Sequence, residues 1–474
     1  LFTGNKWQYS IHRFPFQLER QGLSERRAQH HYEAGGCYGR DVVRTPLLVV
    51  LAGGASTRLW PLEEKSLIKF MGRPLLALQL ENYARLGLTE VVVIGNPENA
   101  EVIRAVVSAL PNVRAEVAVQ PEPKGMGSAL LELGSYLERR GNQPIYVTQV
   151  HDLTDVVLHQ RMLTEYQSGR ASSYLAGFRV RDYFPGGYLE IEPDGRITNM
   201  VEKPGAGHEP SDLVSIVAHI HSDARLLLDC IEAEYDRPAT TDDHYERAMA
   251  RMMKEQIFQV VPYEGSWQAI KYPWHVLDVM HALLGKIGGR HISTDARIED
   301  GVLIKGNVVI EAGARLFHGA TVIGPAYIGA GAVVGNASLV RESMIGAGAV
   351  VGFATEVARS YLADRAHTHA CQVLDSILDE DVNFSATCTT ANLRIDQGPV
   401  WSRVKGQKVD TGRTKLGLIA GKKAFIGVNV MTMPGVKIGR EAEIGPTTVV
   451  RHDVPDRTRV WVEQSLGMAE RKDD

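Results

Sequence analysis

LAGGASTRLWPL, residues 51–62, decides how the first half of the chain is read. The apolar run Leu47–Leu51 is a buried-strand pattern, and it drives straight into a turn carrying Gly53 and Gly54, with Arg58 four residues further on. Taken alone, the stretch is equally a tight structural turn or a phosphate cradle, because backbone N–H groups in a glycine-rich turn can converge on an anion. The neighbouring sequence has to decide between them.

From residue 46 to about 288, strand-like and helix-like segments alternate. Glu90–Gly95 reads as a strand, Leu75–Leu86 and Glu98–Leu110 as helices, and Val113–Val119, Ser128–Arg140 and Pro144–Val150 continue the series. Strands separated by helices of this length imply crossover connections and a largely parallel, Rossmann-like α/β sheet.

After about 290 the pattern changes. Ile298, Ile304, Ile310, Leu316, Val322, Ile328, Val334 and Val340 fall at every sixth residue, with Gly, Ala, Asn and Asp crowded between them. That period fits neither a helix nor a simple alternating strand; it fits a solenoid whose flat sides each send one aliphatic residue inward. The period returns at Leu378 and Phe384, then at Ile426, Ile438, Ile444 and Val450, and the segment 389–415 is expected to project as an inserted loop. The expected domains are a leader over 1–45, an α/β domain over 46–288, a β-helix over 289–460 and a tail over 461–474.

At 474 residues the chain exceeds a single core. Its 52 basic and 56 acidic residues balance to a net charge of −4, which offers no electrostatic reason for a nucleic-acid or membrane partner. No stretch reaches the roughly 18 consecutive apolar residues of a membrane helix. Cys37, Cys230, Cys371 and Cys388 lack CxxC spacing, so neither a disulfide framework nor a zinc site is expected, and a cytoplasmic setting fits.

Five ordered stretches carry a family resemblance. LAGGASTRLWPLEEKSLIKFMGRPLL (51–76), QPEPKGMGSAL (120–130), GYLEIEPDGRITNMVEKP (187–204), YEGSWQAIKYPWHVL (263–277) and the paired segments 367–394 and 404–439 follow one another along the chain. The sequence resembles the sugar-1-phosphate nucleotidylyltransferases that carry a C-terminal left-handed parallel β-helix of hexapeptide repeats, above all the archaeal-type group that also acetylates amino sugars.

The resemblance implies roles residue by residue. Leu51, Ala52, Gly53 and Gly54 would cradle the nucleotide phosphates, Arg58 would clamp the leaving pyrophosphate, and Lys65 would steady the attacked phosphoryl group. Counting from Arg58 as in some relatives gives Lys69 instead; Lys65, seven before Gly72, is preferred. Gln120 and Gly125 would face the base; Gly187, Glu202 and Lys203 the sugar phosphate.

In the second half, His369 would be the general base of acetyl transfer, with Asn392, Arg413 and Lys415 around it. Nucleoside triphosphate, sugar 1-phosphate, Mg²⁺ and acetyl-CoA are the implied ligands, and a homotrimer the implied assembly.

Several positions depart from the pattern. One family aspartate that binds Mg²⁺ falls on Ala269, and the other falls on His151 or, with a one-residue slip, on Asp152; Asp242 or Asp243 could compensate. The signature's GxG is Gly54-Ala55-Ser56 here, with Ser56 in place of its last glycine. The tyrosine after the histidine is Gln372, and two lysines expected to meet the sugar phosphate are Gly398 and Trp401. Three functions are therefore weighed: nucleotidyl transfer with or without acetylation, a degenerate nucleotide-binding regulator, and an acetyltransferase alone.

Overall fold

The computed structural model describes residues 44–237 and 243–469; the expected leader over 1–45 falls almost wholly outside them, as does Asp242. The described chain forms one compact unit.

The first half is built on β1 (Leu47–Leu51), α1 (Leu75–Arg85), β2 (Glu90–Gly95), α2 (Ala100–Ser108), β3 (Arg114–Val119), α3 (Gly125–Leu131), α4 (Gly134–Arg140) and β4 (Ile145–Gln149). Strands β3, β2, β1 and β4 lie side by side and parallel, as the buried runs LLVVL and VVVIG require. The single helix expected over 128–140 is two, separated at Glu132–Leu133.

Beyond β4 come β5 (Asp152–Thr154), α5 (Val156–Gln167), β6 (Ser173–Arg179), β7 (Gly187–Ile191), β8 (Arg196–Glu202), β9 (Leu213–His221), α6 (Ala224–Tyr235), α7 (His244–Met252), β10 (Phe258–Tyr263), β11 (Trp267–Ala269) and α8 (His275–Leu284). The nine-stranded sheet runs β3-β2-β1-β4-β9-β6-β10-β8-β7. Its second half is mixed: β9 is antiparallel to both β4 and β6, and β8 to both β10 and β7. The expectation of a largely parallel sheet thus holds for one half of it. Hairpin-length links such as the one between β7 and β8 permit antiparallel neighbours without a crossover.

From Arg290 the chain winds into a three-sided parallel β-helix, with faces of eight, nine and eight short strands. The six-residue period does not lapse after Val340, as the sequence suggests; it shortens. Val308 pairs with Ala326, eighteen residues on, but Val333 pairs with Val350 and Glu356 with Gln372, so corners lose one and then two residues per turn. Ile345, Val351, Val357, Leu362 and Val373 carry on the inward column, all fully buried. Thr368, Thr390 and Thr432 fill inward places with hydroxyls, which an aliphatic pattern cannot reveal. The expected projecting loop contains an antiparallel hairpin, Trp401–Val404 with Gln407–Asp410.

One apolar cluster crosses from the α/β half into the β-helix, joining Leu59, Leu62 and Phe70 to Tyr327, Tyr361, Ile377 and Ile419. The Tyr361 hydroxyl donates to the Lys69 carbonyl at 2.6 Å, and Lys69 Nζ pairs with Asp364 at 2.7 Å. The end of the glycine-rich segment docks on the same wall. Trp60 Nε1 donates to Asp456 at 2.8 Å, and a Cβ on Gly421 would stand 2.9 Å from both Pro61 Cβ and Pro61 O, so only glycine admits that approach.

Candidate functional site

The glycine-rich turn leaves the C-terminal end of β1, where ligands of open α/β sheets characteristically bind. Its glycines have a specific cause. A Cβ on Gly53 would lie 2.9 Å from Gln120 Oε1 and 3.0 Å from the Gly95 carbonyl, so the turn presses directly on the end of β2 and on Gln120. Gln120, buried, donates through Nε2 to the Gly125 carbonyl at 2.9 Å and to Ser128 Oγ at 2.6 Å. Gly54 leaves its outer side open toward Lys65 Nζ, 3.8 Å from where its Cβ would be.

Glu64 and Asn99 hold the turn from behind. Asn99 Nδ2 donates to the Ala52 carbonyl and to Glu64, each at 2.9 Å, and Glu64 accepts from the Ser66 N–H at 3.1 Å. Burial raises the Glu64 pKa against these bonds. Ser56, in the signature's glycine position, adopts φ +47°, the left-handed region that glycine occupies without strain.

Lys65 and Lys69 separate cleanly by geometry. Lys69 is engaged with Asp364 and Glu380 of the β-helix. Lys65 faces the turn in the company of Asp152, Arg58 and Lys271, and burial pushes its pKa down to about 8. The Arg58 guanidinium stands 5.9 Å from the Tyr272 ring centroid. Arg58 also lines a cleft of ≈ 600 Å³ together with Arg403 and Lys405 of the hairpin.

Asp152 and Ala269 are partners in the two-stranded ladder of β5 and β11. The position facing residue 269 is Asp152, while His151 precedes the strand and gives its carbonyl to Ile270 N at 3.0 Å. Asp152 is 8 % exposed and accepts from Trp267 Nε1 at 3.3 Å; from below, Gln79 Nε2 donates to its carbonyl at 2.9 Å. Burial raises the Asp152 carboxyl pKa. His151 is held well below the ordinary imidazole range by burial and by Lys65, Lys271 and Arg58. The ladder is closed by Asp155, which accepts from the Tyr263 hydroxyl at 3.1 Å and the Ser266 N–H at 2.9 Å.

Lys271, two residues past Ala269, is a site residue the motif reading overlooks. Its Nζ lies 4.1 Å from the Phe184 ring centroid and 6.0 Å from that of Trp267, in electrostatic reach of Asp152, Arg58 and Glu202. Gly187 pairs with Glu202 across β7 and β8, and a Cβ there would crowd Glu202 Oε2 at 3.2 Å. Glu202 is ion-paired with Lys203. The turn, Gln120, Lys65, Asp152, Lys271, Glu202 and Gly187 thus form one continuous chain of neighbours.

The residues do not suit a divalent cation. Mg²⁺ seeks hard oxygen ligands, and Ala269 places a methyl opposite Asp152, whose carboxylate is already in reach of Lys65 and Lys271. Among the described residues no group of three or more His, Cys, Asp or Glu side chains could hold a metal. Asp243 pairs with Arg247 at 3.5 Å on α7, and Asp155 is spent on the ladder.

In the β-helix, His369 is exposed at a corner, with room made by Gly352, whose Cβ would fall 3.0 Å from His369 Nδ1. Asn392 lies past the next strand-bearing face, at the following corner, where its Nδ2 donates to Asp375. Strand Gln372–Leu374 spans that face, a separation on the order of 10 Å. One chain does not bring the two together. Arg413 is ion-paired with Asp278 of α8 rather than open to a neighbouring solenoid, and Lys415 is exposed.

Residues 47–269 match the family described as nucleotidyl transferase. The chain is 29 % identical over 416 residues to the "Bifunctional sugar-1-phosphate nucleotidylyltransferase/acetyltransferase" of Sulfurisphaera tokodaii, covering 85 % of this chain and 97 % of that one. It is 27 % identical to the "Bifunctional protein GlmU" of Methanococcus vannielii over 88 % of this chain and 98 % of the other. It is 34 % identical over 169 residues to the "Uncharacterized acetyltransferase YaiX" of Escherichia coli, 35 % of this chain and 74 % of that one. With the glycine-rich turn at the end of β1 and the cations Arg58, Lys65 and Lys271 beside it, residues 47–269 belong to the nucleotidyl transferase family, and a C-terminal parallel β-helix follows them.

Proposed function

We propose that the α/β half transfers a nucleotidyl group from a nucleoside triphosphate to a sugar 1-phosphate. One observation carries the reading: Arg58, Lys65 and Lys271 lie in electrostatic reach of one another beside a turn that presses on Gln120, and Lys271 is in reach of Glu202, the cross-strand neighbour of Gly187. An oxygen of the sugar phosphate forms the new bond to the α-phosphorus while the bond from that phosphorus to the α–β bridging oxygen breaks, and pyrophosphate leaves with the electron pair. Arg58 neutralises the departing pyrophosphate and Lys65 the charge on the α-phosphoryl oxygens, both pre-positioned. Gln120 and Gly125 read the base; Glu202 and Lys203 hold sugar and phosphate.

The test is pyrophosphate release across a panel of nucleoside triphosphates and sugar 1-phosphates. Arg58→Ala is expected to lower kcat about 10²–10³-fold, the cost of removing one pre-positioned stabiliser of developing charge. An unchanged rate would remove Arg58 from the mechanism, and no turnover with any pair would sink the reading.

The β-helix supports a second activity, acetyl transfer from acetyl-CoA to an amino sugar, with His369 as general base. Exposed apolar residues flank its corner: Phe353 at 56 % and Val428 at 50 % stack in the same column of corners. A second copy covering that column would complete the His369 site, which supports a homotrimer. Transfer of labelled acetyl to glucosamine 1-phosphate should vanish in His369→Ala; retention of the rate would exclude that role. Unpaired Cys230, Cys371 and Cys388 support a reducing, cytoplasmic setting.

A further inference from the structure

Resting on the nucleotidyl-transfer reading, we propose that the triphosphate site carries its own counter-charge: Lys271 beside Asp152 stands in for a divalent cation, so that a nucleoside triphosphate binds here without one.

The register of the β5–β11 ladder is the starting point. Ala269 is directly opposite Asp152, so the oxygen ligand that would complete a two-carboxylate site is a methyl group. Two residues past Ala269, beyond the end of β11 where the chain turns back on the Ala269 carbonyl, stands Lys271. Its position is not that of a free surface lysine. Two aromatic rings hold its ammonium, Phe184 at 4.1 Å and Trp267 at 6.0 Å, and Trp267 also donates its indole N–H to Asp152 at 3.3 Å. One side chain therefore fixes both charges. The backbone is fixed as well: Lys271 N–H reaches His275 Nδ1 and the Ala269 carbonyl, each at 3.1 Å.

The charges point the same way. Arg58 and Lys65 approach from the glycine-rich turn and Lys271 from the end of β11; Asp152 lies in reach of the two lysines, with Glu64 beside Lys65 and Glu202 in reach of Lys271. A hard cation entering this space would find Asp152 already in reach of two ammonium groups, an unfavourable exchange for its hydration shell. A polyphosphate finds the reverse, three cationic side chains with glycine backbone in reach. Asp152 then orients the two lysines, as a counter-ion placed between like charges.

The experiment is titration calorimetry of the full chain with ATP, CTP, GTP, UTP and dTTP, in EDTA and in excess Mg²⁺. At least one triphosphate should bind with affinities in the two conditions that agree within about threefold. Lys271→Met should weaken binding in EDTA by about 10- to 100-fold, and Lys271→Arg should retain it. The double variant Ala269→Asp with Lys271→Met should regain affinity only when Mg²⁺ is present, and its melting temperature reports that it has folded. Binding that appears only with Mg²⁺ in the unaltered chain would overturn the inference while leaving nucleotidyl transfer intact. Equal EDTA binding by Lys271→Met and the unaltered chain would also overturn it. Failure of every triphosphate in both conditions would defeat the nucleotidyl-transfer reading first.

Discussion

Ser56 shows how one residue records a compromise. At φ +47° it pays the Cβ–carbonyl clash that glycine avoids, and its hydroxyl recovers little, reaching the Gly54 carbonyl only at 3.4 Å and Glu64 at 3.5 Å. Ser56→Gly should raise stability by about 0.5–1 kcal/mol, relief of left-handed strain less the extra entropy of an unfolded glycine. Urea unfolding checks the sign; a destabilised variant would mean that the hydroxyl contacts matter more than the strain. Lys65 yields a pH prediction at the same scale. With its pKa pushed down to about 8 by burial, it is cationic below that pH and neutral above it. Triphosphate affinity should therefore be full below about pH 8 and fall as pH rises through it, a dependence that Lys65→Arg removes.

At the scale of elements, β9 carries a buried polar ladder behind the site. His219 and His221 project from this strand, two residues apart, onto the Tyr245 hydroxyl of α7, at 2.9 and 3.1 Å, and each has a serine at 2.9 Å on its other nitrogen. Both rings are fully paired as neutral imidazoles, and burial lowers both pKa values to about 3. The unfolded chain binds protons below about pH 6.5 while the native state does not, so their contribution is present above that pH and is lost as pH falls toward 3. Each histidine should cost up to about 1.4 kcal/mol of stability per pH unit below 6.5. Unfolding free energies at pH 7.5, 6.5 and 5.5 give the slope, and His221→Gln should flatten it by one histidine's share.

At the scale of the molecule, the glycine-rich turn is braced from outside its own half. Trp60 and Pro61 rest on the β-helix, and Arg440 reaches back to Glu63 at 2.8 Å. Gly421→Val would drive its side chain into Pro61, costing about 1–3 kcal/mol of overpacking. Nucleotidyl transfer should fall at least severalfold because Arg58 moves with Pro61, while acetylation, on a different set of corners, keeps its rate. Equal loss of both activities would point to general unfolding instead.

The sequence by itself determined the elements and the family. Buried aliphatic runs specify the parallel strands β1 to β4, and a six-residue period specifies a solenoid, because both are local patterns of burial. It also singled out the turn, Gln120, Glu202 and Lys65, through ordered motifs. Tertiary structure decided what depends on pairing across distance. The register of β5 against β11 sets Asp152, not His151, opposite Ala269. It also brings Lys271 from an unremarked place in IKYPW to the side of Asp152, and it ties Lys69 and Arg413 to the opposite half of the chain. Sequence spacing carries no term for such partners, since charge and ring contacts between residues a hundred positions apart exist only once the chain has folded.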